Sequence, residues 1–128
     1  MTANKLVNAA FYATGAGNEP VRDWLKDLSP ADRKVLGENI AAVEFTWPVG
    51  MPLVRPMKQG LWELRSSLAG NRIARILFCV AEGRMVLLHG FIKKSQKTPV
   101  EELALARKRQ KEIIERRSDP PIRLLGHR

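Results

Sequence analysis

The chain has little of what most enzymes of its size rely on. It holds one cysteine, Cys79, and two histidines, His89 and His127. A lone cysteine excludes an internal disulfide framework and any cysteine-based metal site within one chain. Cys79 sits in an apolar run, where it reads as a small buried hydrophobe rather than a nucleophile. That usage suits a reducing, cytoplasmic setting. The two histidines are far apart and make no metal constellation, so neither metal nor cofactor is expected. No run of about 18 apolar residues is present, so no membrane span is expected. A basic segment followed by an apolar one is missing from the first residues, so no secretion signal is expected. P-loop, G-x-G-x-x-G and nucleophile-elbow patterns are missing too.

What the chain has is positive charge in one place. Its 22 Lys and Arg against 13 Asp and Glu give a formal charge of +9. The excess is concentrated between Pro48 and Val100. There Arg55, Lys58, Arg65, Arg72, Arg75, Arg84, Lys93, Lys94 and Lys97 meet only Glu63 and Glu82. A folded sheet with that imbalance repels itself unless a polyanion is near, and RNA is the first candidate.

The 128 residues, 45% of them apolar, suffice for one domain with a core. That domain spans residues 1–117, with 118–128 expected to be a flexible tail. Leu6 to Ala13 reads as a short first strand, closed by Thr14–Asn18. Val21, Trp24, Leu25 and Leu28 form one apolar helical stripe after Pro20. Ser29 and Pro30 form a helix start, cap then first residue, for a second helix to about Phe45. Trp47 to Pro52, with two prolines, reads as an extended crossover. Three strands follow at Leu61–Leu68, Arg72–Ala81 and Met85–Lys93, joined by hairpin turns around Gly70 and Gly83. Thr98, Pro99 and Glu101 open a last helix with a capping box, running to about Arg117. The order predicts an α+β domain: one sheet with helices on one face.

Alternation places the cations. Trp62, Leu64 and Leu68 share a core face, leaving Glu63, Arg65 and Ser67 on an open one. The loop lengths set Arg65 opposite Arg75, and Arg75 opposite Gly90. Two arginines facing each other cost stability, of order 0.2–1 kcal/mol. An anion bridging both would justify them, with Gly90 leaving room for it. Alternatively, each arginine snorkels over apolar neighbours. Lys93, Lys94 and Lys97 lie near the last helix's N-terminus, either as part of that site or as a solvated loop. His89 pairs with Ile76 on the core face in this register. It reads first as a satisfied, partly buried histidine and second as a general acid or base.

Five linked segments carry a family resemblance: EPVRDWL at Glu19–Leu25, GLWELR at Gly60–Arg65, RIARILF at Arg72–Phe78, LLHGFIKKSQKTP at Leu87–Pro99, and the helix with Glu101, Ala104, Ala106 and Arg107. Together they resemble the RelE/ParE superfamily of toxins, in particular the phage-derived HigB-like branch of type II toxin–antitoxin systems. The resemblance implies a RelE-like (microbial-RNase-like) fold: a small antiparallel sheet, an N-terminal helical hairpin and a C-terminal helix. It also implies a metal-free endoribonuclease cutting mRNA, usually on the ribosome, through 2′-hydroxyl attack. A helix-turn-helix (HigA-like) antitoxin is the implied partner. Carried over, the catalytic cations correspond to Arg65, Arg75, Lys93 and Lys94; Arg72, Lys97 and Lys58, from the same basic block, are expected as RNA contacts. Some relatives carry a catalytic tyrosine or histidine near the C-terminus. This last helix has neither, and Tyr12 is the one tyrosine. The rival expectation is a non-catalytic RNA-binding or phage-derived regulatory protein on the same scaffold.

Overall fold

The computed structural model describes residues 4–118. Its elements run β1 (Asn8–Phe11), α1 (Pro20–Lys26), α2 (Pro30–Thr46), β2 (Val54–Pro56), β3 (Leu61–Leu68), β4 (Arg72–Ala81), β5 (Arg84–Lys93) and α3 (Val100–Ser118). The rest of the expected tail, residues 119–128, lies outside the described residues. Five strands form one sheet in the order β1-β5-β4-β3-β2.

The local signals act as expected in several places. Ser29 caps α2 by accepting a hydrogen bond from the Asp32 amide at 3.2 Å, with Pro30 at the first helical position. Gly70 adopts φ 78° in the short β3–β4 connection. At the β4–β5 turn, Glu82 and Gly83 both have positive φ, 54° and 76°, as a two-residue type I′ hairpin requires.

Two features of the sheet depart from the sequence reading. The sheet is mixed, because β1 runs parallel to β5 while all other pairs are antiparallel. Also, Val54–Pro56 pairs with Trp62–Leu64 as a fifth strand, where only a crossover was expected up to β3.

Helices cover both faces, not one. Ala74, Ile76 and Phe78 of β4 point into a core with Val21 of α1 and with Leu36 and Val43 of α2. The alternate residues Leu77 and Cys79 point into a second core with Ala106, Leu103 and Ile113 of α3. Period-two alternation thus makes β4 apolar on both sides, as a strand between two layers must be.

β5 carries a bulge. Ala81 to Phe78 pair with Arg84 to Leu87, but Leu77 pairs with His89, leaving Leu88 as the extra residue. The register beyond is shifted by one. Arg75 therefore faces Phe91, not Gly90, and His89 faces Leu77, not Ile76. Gly90 turns to the α1 side instead. A methyl group there would sit 2.5 Å from the Trp24 ring, so the missing side chain accommodates an indole rather than a ligand.

Candidate functional site

The expected opposition of Arg65 and Arg75 is present in the β3–β4 register. An anion does lie between them, and it belongs to the protein. Glu63, two residues before Arg65 on the same face, places Oε2 3.9 Å from Arg75 Nε and Oε1 3.7 Å from Arg65 Nε. The face expected to be open is closed here: Glu63 and Arg75 are both 0% exposed. Burial pushes the Arg75 guanidinium below its ordinary pKa, Glu63 opposes that shift, and the charges of Arg65 and Arg55 add to it.

The segment after β5 supplies the cover. Arg75 donates to the Ser95 carbonyl, and the Thr98 hydroxyl donates to Glu63 Oε2 at 2.5 Å. Arg65 Nη2 donates to Gln96 Oε1 at 2.9 Å. Thr98, expected as the cap of the last helix, instead lies two residues before its first residue, Val100, and its hydroxyl ties that segment to the buried carboxylate. Among the described residues, Glu63 Oε1, Arg75 Nε and Arg75 Nη1 have no hydrogen-bond partner. The pair is held by charge and enclosure rather than by a complete hydrogen-bond set.

A strip of polar and aromatic groups continues across the same face. The Arg75 guanidinium lies 5.9 Å from the Phe91 ring centre, and Phe91 stacks on His89 at 5.7 Å. His89 Nε2 is 2.6 Å from Glu102 Oε1 on the first turns of α3. The bulge makes this possible: it moves His89 off the α1–α2 core face and onto the α3 face. His89 keeps 16% of its side-chain surface exposed and Glu102 19%, so the pair is reachable from solvent. Glu102 was not singled out in the sequence; its partnership with His89 needs the shifted register to be visible.

The other expected residues divide. Arg65 remains 16% exposed at the outer end of the strip. Lys93, Lys94 and Lys97 are exposed around the covering segment. Arg72 lies elsewhere, on the α2 side, where it makes a bidentate pair with Asp32 at 2.8 and 3.0 Å and donates to the Ala69 carbonyl. That pair holds the Asp32 carboxyl below its usual range, the Arg72 hydrogen bonds being the main cause. Lys58 is exposed in the turn before β3, and its carbonyl accepts from Arg107 at 2.9 Å. The helix arginines also turn inward. Arg109 donates to the Leu88 carbonyl and Arg116 to the Ala13 carbonyl. Both guanidinium groups lie over the Tyr12 ring, whose hydroxyl donates to Glu112 at 2.6 Å.

Beside Arg65, an open cleft of about 430 Å³ runs along the sheet edge. Arg65, Ser66 and Ser67 of β3, Gln96, and Met51–Leu53 line much of it. Among the described residues no helix is long and apolar enough to cross a membrane.

The arrangement can hold an anion at Arg65 and the nearby lysines, and can move a proton at His89. No curated protein matches the chain. The family model described as phage derived protein Gp49-like (DUF891) matches residues 23–111, from α1 through most of α3 and across the whole strip. The chain therefore belongs to the Gp49-like family of phage-derived proteins, which is associated with RelE-like toxins.

Proposed function

We propose that this protein is the toxin of a type II toxin–antitoxin system, in the HigB-like branch, and an endoribonuclease acting on mRNA, on or near the ribosome. The observation that carries the reading is the strip itself: a partly exposed His89–Glu102 pair and Arg65 lie on one face, fringed by Lys93, Lys94 and Lys97. Family membership supports the toxin-like character.

In the proposed reaction a ribose 2′-oxygen attacks the adjacent phosphorus and the P–O5′ bond breaks. The products are a 2′,3′-cyclic phosphate and a 5′-hydroxyl. Glu102 accepts the Nε2–H of neutral His89, which leaves Nδ1 with the lone pair that takes the 2′-hydroxyl proton. The imidazolium then returns a proton to the leaving 5′-oxygen. Arg65, with Lys93 and Lys94, offsets the charge that builds on the phosphorane. Arg75 is a positioning residue here: it holds the Ser95 carbonyl, and so the basic segment, from underneath. Arg72, committed to Asp32 on the other side of the sheet, has no part in this scheme. Lys97 and Lys58 extend the path of the RNA backbone. The partner proposed is a helix-turn-helix antitoxin, and the compartment the cytoplasm.

The full burial of Arg75 favours a second reading, a non-catalytic RNA-binding or regulatory protein. Incubation with free and ribosome-bound mRNA separates the two. The toxin reading expects cyclic-phosphate ends, survival of strands with a 2′-deoxy residue at the cut, and arrested growth on expression without antitoxin. His89→Ala should lower the rate by about 10²–10⁴ while RNA remains bound. Binding without cleavage of any mRNA, in cells that grow normally, establishes the second reading.

A further inference from the structure

The cleft beside Arg65 has a construction that the cleavage scheme does not use. One side is apolar: Met51, Pro52 and Leu53 line it, and Met51 is 60% exposed. The other side is polar and underused. Asn39 donates to Ser66 Oγ at 2.8 Å, which leaves its amide oxygen without a donor among the described residues. Gln96 accepts from Arg65 through its side-chain oxygen, which leaves its NH₂ group to donate. Ser67 is exposed on the same wall, and Arg65 keeps Nη1 unpaired among the described residues.

A flat group with apolar faces and an edge of mixed donors and acceptors matches this cleft. It must also be joined to an anion at Arg65. A nucleobase in an RNA strand has all of these properties. An acidic peptide would satisfy Arg65 and the lysines but would leave the apolar wall and the spare amide groups unmatched. The volume lies within the range of sites that enclose small organic ligands.

Resting on the RNA-directed reading above, we infer that the cleft takes one unstacked nucleobase of single-stranded RNA. The base lies against Met51 and Leu53, its edge meets Asn39, Ser67 and Gln96, and its neighbouring phosphate meets Arg65. The cleft would then set which base stands next to the cut and anchor the strand for His89.

The test compares a short labelled single-stranded RNA with its abasic counterpart, by fluorescence anisotropy at fixed salt. Wild-type protein should bind the abasic strand about tenfold more weakly, the loss of one base's apolar surface buried against Met51 and Leu53. Ser67→Trp fills the cleft from an exposed strand position and should bind both strands alike. Met51→Ala, a milder change, should narrow the gap. In ¹⁵N spectra the natural RNA should shift the Ser67, Ile73 and Gln96 amides. Equal binding of the two strands by the wild type overturns the inference, as does undiminished discrimination in a folded Ser67→Trp protein. Shifts of those amides by polyglutamate but not by RNA assign the cleft to a protein partner and overturn it too. RNA that is bound and cut without base discrimination refutes the cleft alone. RNA that is neither bound nor cut refutes the wider reading with it.

Discussion

Glu63 and Arg75 form an ion pair, 3.9 Å apart at its nearest atoms, with both side chains wholly withdrawn from solvent. The distance is too long for a hydrogen bond, and three of the pair's polar atoms lack hydrogen-bond partners among the described residues. The pair therefore stabilises the fold weakly against an apolar replacement, but strongly against loss of one member. Glu63→Leu or Arg75→Met alone should cost about 3–5 kcal/mol, because each strands a buried charge. The double variant should recover most of that loss. Urea midpoints of the four proteins make the cycle. A double variant as unstable as the sum of the singles would show that the pair does not couple.

Gly90 and Trp24 make a second sharp constraint. Gly90→Ala places its methyl group 2.5 Å from the indole, so α1 must shift or the ring must rotate. The expected cost is about 1–3 kcal/mol, as for other overpacked interiors. Trp24→Leu in the same background should relieve part of it. The readout is thermal unfolding followed by circular dichroism.

Tyr12 is the one tyrosine in the chain, so phenolate absorbance near 295 nm reports it alone. Burial, then its hydrogen bond to Glu112, raises its pKa above the ordinary value. The folded protein should titrate above about pH 10 and the denatured protein near it. A group whose folded pKa is raised contributes stability below the unfolded pKa and loses it as the pH climbs through the folded one. Tyr12→Phe should therefore flatten the alkaline limb of the stability curve. Coincident native and denatured titrations would remove the basis for this.

Asp32 has the opposite sign. Its hydrogen bonds from Arg72 depress its pKa, so its contribution is present above the unfolded value, about 3.9, and fades as the pH falls through the lower folded value. Asp32→Asn should be less stable than wild type at neutral pH, and the two should converge in strong acid. A constant difference from neutral pH to strong acid would assign the effect to helix capping or packing instead.

Much of the architecture could be read from local chemistry. Ser29 with Pro30, Gly70, and Glu82 with Gly83 mark boundaries through backbone preferences that act within a few residues. The Arg65–Arg75 opposition followed from loop length alone. What escaped depended on distant partners. Val54–Pro56 is too short to show a pattern and becomes a strand only against β3. The bulge at Leu88 falls in a run, Met85 to Leu88, that is apolar throughout, so alternation gives no sign of a slip. That one residue redirected both His89 and Gly90. Counting charges also hid the internal pairing: Glu63 looked outnumbered, yet it is the counter-ion that two arginines share. In the same way, a count of charges gives no sign of where Arg107, Arg109 and Arg116 point. They close onto backbone carbonyls of the turn before β3, β5 and the segment after β1.

The parallel seam between Asn8–Phe11 and Arg84–Leu87 joins segments more than seventy positions apart. During synthesis the amino-terminal segment emerges early and finds its place late, after the β4–β5 hairpin exists to receive it. Until then the margin of β5 lies bare, and the hydrophobic side awaiting α3 stays wet. The sheet therefore stays incomplete until both β4 and β5 have been made. α3 follows every strand of the sheet in the chain and closes over the His89 strip, so the proposed activity would arise only once that helix has been made.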